Sequence, residues 1–185
     1  MAQRINIRQA ISSDISDLVA LDHDYSTDHV WQMALNRASD EISIAFRQVR
    51  LPRPMRVQYP RAAERLADEW TRKAAVLVAE AEGERLAYLA LIPAPADRAG
   101  WISDLVVSSR HRRQGIATAM VGAARTWSRD RGFHSLFLEM QSKNYPAICL
   151  ARKLGFNFAG YSDLYYPDQD IALFFQLTLR ERSEG

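Results

Sequence analysis

"RHRRQGIATAM", residues Arg110 to Met120, sets three arginines and a histidine immediately ahead of a glycine. Before it runs "WISDLVV" (Trp101 to Val107), an apolar segment that reads as a strand. After it, Ile116, Met120, Ala123, Ala124 and Trp127 recur at the spacing of one face of an amphipathic helix. A basic cluster on a turn is most often solvated surface. Between a strand and a helix it is more than that. The unpaired N–H groups of the first helical turn and the helix dipole both favour an anion there.

Working outward, the same alternation continues. Gly132 is the expected helix stop, "SLFLEMQ" (135–141) a strand, "YPAICLARKL" (145–154) a helix, and "GFNFAGY" and "IALFFQLTL" two closing strands. Upstream, "AAVLVAEA" and "RLAYLALI" flank "EGE" (82–84), a tight hairpin signal, and "PAPADRAG" reads as a loop. "INIRQ" is a strand, and Ser12, Ser13 and Asp14 are cap candidates for a helix presenting Ile15, Leu18 and Val19. "DHVWQMALNR" predicts a short helix and "EISIAFRQVR" a long strand that ends at "LPRPM", since proline removes ladder donors. "PRAAERLADEWTRK" predicts a helix with Ala63, Leu66, Ala67 and Trp70 on one face. Strands interleaved with crossover helices mean an α/β fold, a mixed sheet flanked by helices in a single domain over 1–185.

Composition narrows the function. A net charge of only +2 argues against a dedicated nucleic-acid binder. The single cysteine, Cys149, excludes an intrachain disulfide and a multi-cysteine zinc site, and fits a reducing cytosol. With no apolar leader at "MAQRINIRQA" and no run of eighteen apolar residues, the expectation is a soluble cytoplasmic protein that uses no membrane and no metal. A monomer or homodimer is expected.

"RRQGIA" (Arg112 to Ala117) has the form Arg-x-x-Gly-x-Ala, which resembles the pyrophosphate signature of the GNAT superfamily of acetyl-CoA-dependent N-acetyltransferases. "LFLEMQSKNYPAICLARKLGF" and "YYPDQDIALFFQL" resemble the strand, helix and last hairpin that follow it in that superfamily. The resemblance is specific from about Trp101 to Leu179. It leans toward streptothricin acetyltransferases and, equally in the later motif, toward ribosomal-protein alanine N-terminal acetyltransferases. It implies the GNAT fold, with the cofactor half at 101–160, acetyl-CoA as co-substrate and a primary amine as acceptor. A catalytically silent acyl-CoA-binding regulator is the alternative from another class.

The resemblance also implies roles for particular residues. Arg112, Arg113, Gln114, Gly115, Ile116, Ala117 and Thr118 would cradle the diphosphate. Leu105, Val106 and Val107 would pair with the pantetheine arm like an added strand, and Asn144 would hydrogen-bond it. Glu139 stands where the alanine enzymes carry a general base acting through water. Alternation independently turns Glu139 away from the Leu136, Leu138 and Met140 face, and a carboxylate in mid-strand needs a partner or solvent. Asp104 raises the same question: it could receive a cationic amine or pair with a structural arginine. Asp28, Tyr165 and Tyr166 are expected at the acceptor's mouth, where Asp22, Asp24, Asp163, Asp168 and Asp170 would add negative charge. One departure stands out. Where the superfamily often has a tyrosine that protonates the leaving thiolate, this chain has Ala151.

Overall fold

The computed structural model describes residues 5–93 and 98–179. Among these residues nine strands and four helices follow one another as β1 (Asn6–Gln9), α1 (Ile15–Val19), β2 (Tyr25–Arg37), β3 (Ile42–Val57), α2 (Arg65–Glu69), β4 (Ala75–Ala81), β5 (Glu84–Pro93), β6 (Ala99–Val107), α3 (Ile116–Arg129), β7 (Ser135–Gln141), α4 (Tyr145–Lys153), β8 (Asn157–Ser162) and β9 (Ala172–Thr178). Seven strands form one sheet in the order β1-β4-β5-β6-β7-β9-β8, and β2 and β3 form a separate two-stranded ribbon. The β4–β5 hairpin turns on Glu82 and Gly83, both at positive φ (51° and 84°), as a two-residue turn matched to strand twist requires.

The sheet has two differently covered faces. Ile116, Met120, Val121 and Ala124 of α3 and Ile148 and Ala151 of α4 pack on Leu77, Leu89, Ile102, Leu136, Leu138, Leu173 and Phe175. On the other face Ile15 and Leu18 of α1 and Leu66 of α2 pack on Val76, Val78, Tyr88 and Val106. Burying side chains of this size is worth about 1.5–3 kcal/mol each, which is why short helices suffice to hold this face.

Beside α1, a buried ion network fixes the first strand. Asp14, fully buried, accepts from Arg8 (2.6 and 3.0 Å), from Arg85 (2.7 Å) and from the Ile11 N–H (2.9 Å). The Arg8 hydrogen bonds, against opposing burial, hold its carboxyl well below the usual carboxylate range. Because the folded value lies below the ordinary 3.8, the stabilisation is complete above about pH 4 and is lost as pH falls through the folded value. An Asp14→Ala variant, which leaves two arginines without their carboxylate, is expected to lose about 3 kcal/mol of stability in urea melts at pH 7, with a smaller penalty in strong acid.

Two predicted elements of the ribbon change. "DHVWQMALNR" is not a helix but most of β2, because β3 pairs with it along its whole length from Arg37↔Ile42 to Tyr25↔Val57. Tertiary pairing overrides local periodicity here. β3 does not stop at "LPRPM". The register jumps from His29↔Arg50 to Thr27↔Met55, so Leu51 to Pro54 bulge opposite Asp28 and the prolines cost no ladder bond. Asp28 therefore sits on a strand rather than in an N-terminal helix, and Asp22 and Asp24 lie in the connection after α1. Residues 94–97 of the predicted "PAPADRAG" loop lie outside the described residues.

Candidate functional site

The site begins where two strands part. Strands β6 and β7 run parallel and pair from Ala99↔Ser135 to Ile102↔Leu138, and then the pairing stops. β6 continues to Val107 alongside β5, and β7 continues to Gln141 alongside β9. Ser103 is the hinge: Ile102 and Asp104 face consecutive β5 residues, Leu91 and Ala90, so Ser103 is a bulge. The result is a wedge whose two edges, Ser103–Val107 and Glu139–Gln141, have backbone groups turned toward a partner other than each other.

At one end of the wedge β6 runs into the basic turn. Arg113 and Gly115 both take positive φ (65° and 85°), and Gly115 stands as the cap of the fourteen-residue α3, which has no acidic residue in its first turn. A Cβ placed on Gly115 would meet nothing within 4 Å, so open space lies over the helix start. These features suit an anion such as a diphosphate. Arg112 is differently employed: its Nε donates to the Val107 carbonyl (2.9 Å) and an Nη to the Asp22 carbonyl (2.6 Å), lacing turn to strand. Asn144 caps α4, its side-chain oxygen accepting from the Ala147 N–H (3.1 Å).

On the opposite side of the wedge, Glu139 and Asp104 project from β7 and β6 with side chains only 1% and 9% exposed. Arg61, from the segment between β3 and α2, reaches between them. Its guanidinium donates to Glu139 Oε1 and to the Ser103 carbonyl (2.9 Å), stands 3.6 Å from Asp104 Oδ1, and lies over the Tyr166 ring. Burial works against the Arg61 charge, yet Asp104 and Glu139 overcome it and raise its pKa. Glu139 Oε2 accepts from the Trp101 indole (2.7 Å) and the Tyr165 hydroxyl (3.1 Å). Asp104 accepts from the Tyr59 hydroxyl and Ser103 Oγ, both at 2.8 Å. Burial, and then the neighbouring carboxylate in each case, pushes the phenols of Tyr59, Tyr165 and Tyr166 up, so they keep their protons.

An aromatic surface borders this cluster. Trp101 stacks on Phe137 (centroids 5.0 Å, 16°), meets Phe174 edge-on at 5.1 Å, and Phe174 meets Tyr165 at 5.6 Å. The arrangement is a desolvated pair of carboxylates beside half-exposed rings. It can hold a cation and shed water from it.

The structure thus brings together Glu139, Asp104, Tyr165 and Tyr166 and, separately, Arg113, Gly115 and the α3 start. It does not bring Asp28 to the carboxylates: Asp28 pairs with His29 (2.8 Å), whose ring lies 4.6 Å from Tyr145 at the start of α4. Asp22 and Asp24 are bound to Arg56 (3.1 Å each), and Asp168 and Asp170 to Gln141, with Lys143 also on Asp170. Asp104 has an arginine, Arg61, 3.6 Å from it. Sequence reasoning missed Arg61, Tyr59 and Trp101. The available signal was two mid-strand carboxylates in need of a cation, but 24 lysines and arginines offered no way to choose.

The profile of the acetyltransferase (GNAT) family matches residues 41–156. The chain belongs to that family. Among relatives, a streptothricin acetyltransferase of Streptomyces lavendulae is 31% identical over 86 residues, 46% of each chain. The chain spans about half the length of the curated relatives it matches. The crystal structure of a nourseothricin acetyltransferase superposes with a TM-score of 0.80 at 24% identity, covering 95% of this chain and 99% of that one. A Bacillus anthracis protein solved in complex with acetyl coenzyme A gives 0.74 at 17% identity, covering 97% and 100%. The GNAT fold, a mixed sheet with flanking helices and a parted centre, is therefore the fold of this chain. Among the described residues no group of three or more His, Cys, Asp or Glu is placed to hold a metal, and no helix is long and apolar enough to cross a membrane.

Proposed function

We propose that the protein transfers the acetyl group of acetyl-CoA to a primary amine of a small cationic acceptor, streptothricin-like or polyamine-like, in the cytoplasm. One observation carries this reading: the wedge between β6 and β7 has an anion-receptive helix start at one end and paired carboxylates on its other side. The open space at Gly115 and the free edge of β6 fit the co-substrate. Arg113, Gln114, Gly115, Ile116, Ala117 and Thr118 would hold its diphosphate, Leu105 to Val107 its amide arm, with Asn144 beside the arm. Acetyl-CoA, when bound, supplies a thioester carbonyl open to attack by an amine.

The chain's own residues do the rest. Glu139 and Asp104 draw the acceptor's ammonium in, and Glu139, on the open edge of β7, takes its proton so that the nitrogen can attack. The N–H groups of the free β6 edge would polarise the carbonyl as charge develops on it. Trp101, Phe137, Phe174 and Tyr165 exclude water. Ala151 is buried in the core and offers no proton to the departing thiolate. The Tyr145 hydroxyl is raised in pKa by its hydrogen bond to Cys149, which makes it a weaker proton donor. Thiolate protonation falls to solvent.

Thiol release from acetyl-CoA, measured with streptothricin, spermidine and an alanine-starting peptide, tests the reading. Turnover is expected with the cationic small amines, with KM rising as salt screens the attraction. Release only with the peptide, insensitive to salt, would place the protein with N-terminal acetyltransferases. Tight acetyl-CoA binding with no amine-dependent release would make it a silent acyl-CoA-binding regulator.

A further inference from the structure

We propose that Arg61 and Asp104 are charge-setting residues for Glu139, and that the acceptor site works at a net charge of −1 made by two carboxylates and one guanidinium. The inference rests on the acetyl-transfer reading and adds to it the rule by which the site selects its acceptor.

The cluster is organised by the bulge. Ser103 has no β5 partner of its own, and just there β7 leaves β6. The Arg61 guanidinium caps the Ser103 carbonyl, and that one contact delivers the cation between the carboxylates of the two separating strands. Every named neighbour of those carboxylates is a donor: the Trp101 indole and Tyr165 hydroxyl on Glu139, the Tyr59 and Ser103 hydroxyls on Asp104. In these contacts both groups accept. Among the described residues Arg61 is the cation within ion-pairing distance of either.

Two negative charges against one positive leave one negative charge in a site shielded from water. A single ammonium neutralises it, which favours entry of one cationic group. The same surplus charge is what can accept a proton from that ammonium. With Asp104 removed, Arg61 and Glu139 form a neutral closed pair, and an arginine bound to a base suppresses its basicity. With Arg61 removed, two carboxylates face each other across the wedge and two cationic groups are wanted instead of one. The other charges of a polycationic acceptor would remain outside the cluster.

The test compares wild type, Asp104→Asn, Arg61→Gln and the double variant Arg61→Gln/Asp104→Asn. Readouts are kcat/KM for propylamine, 1,3-diaminopropane and spermidine, with thermal melts to show that each is folded. Asp104→Asn is expected to lower kcat about tenfold or more, at the low edge of acid–base effects, and the double variant, back at −1, to regain most of that loss. Arg61→Gln alone should shift preference toward 1,3-diaminopropane over propylamine by about tenfold, while Arg61→Lys, which keeps the charge, should not. A double variant no faster than Asp104→Asn, together with an unchanged diamine preference in Arg61→Gln, would overturn the charge rule while leaving acetyl transfer standing. Wild type that acetylates no amine would overturn both.

Discussion

Glu139→Gln is expected to slow amine acetylation by about 10²-fold in kcat, the lower end of what a positioned base contributes, with acetyl-CoA affinity retained. Glutamine keeps the shape but cannot take a proton. Its amide also brings a donor against one of two donor-only groups, the Arg61 guanidinium at Oε1 or the Trp101 indole at Oε2. One of those contacts must break, and a buried unsatisfied donor costs about 1–3 kcal/mol, so the variant should also melt earlier. The two consequences separate in one experiment. Turnover measured on the folded variant reports the chemistry, and the melt reports the packing. A variant that melts earlier yet turns over at the wild-type rate would make Glu139 an anchor for Arg61 and nothing more.

Gly115→Val is expected to weaken acetyl-CoA binding by about 10²-fold, or roughly 2.7 kcal/mol, in calorimetry. Two causes add. At φ +85° a β-branched residue is strained by about 1–2 kcal/mol, which will move the turn from its present path. The valine methyls would also occupy the space over the α3 start, where a Cβ would find no atom within 4 Å and where the first-turn N–H groups converge. Gly115→Ala isolates the first cause, since its single methyl carries the same φ penalty with less bulk. Unchanged acetyl-CoA affinity in a folded Gly115→Val protein would move the diphosphate away from this helix.

Much of this architecture could be read from residues in order. The strand, turn and helix from Trp101 to Arg129, the EGE hairpin, and β7 over 135–141 all lie where local patterning puts them, because each carries both its periodicity and its stop signal within the segment. Helix α1 spans its predicted apolar face, Ile15 to Val19, whereas α2 covers only Arg65–Glu69 of the predicted "PRAAERLADEWTRK". The ribbon was not legible. "DHVWQMALNR" has helical spacing, and only pairing with a strand beginning five residues after it, with a bulge absorbing Pro52 and Pro54, makes it β2.

The site divides in the same way. Gly115 and its basic turn are a local device, complete within a few residues, so the sequence by itself determined the anion-receptive helix start. Alternation along β7 likewise determined that Glu139 leaves the apolar face shared by Leu136, Leu138 and Met140. What lies opposite Glu139 was decided only in three dimensions. Arg61 is 78 residues away in the chain, and its position follows from where β3 ends, how α2 packs through Leu66, and the Ser103 carbonyl left free by the bulge. A charge partner at that separation leaves no periodic trace in the sequence. It exists because a folded wedge leaves two carboxylates out of water, and among the described residues the fold supplies one cation that reaches them both.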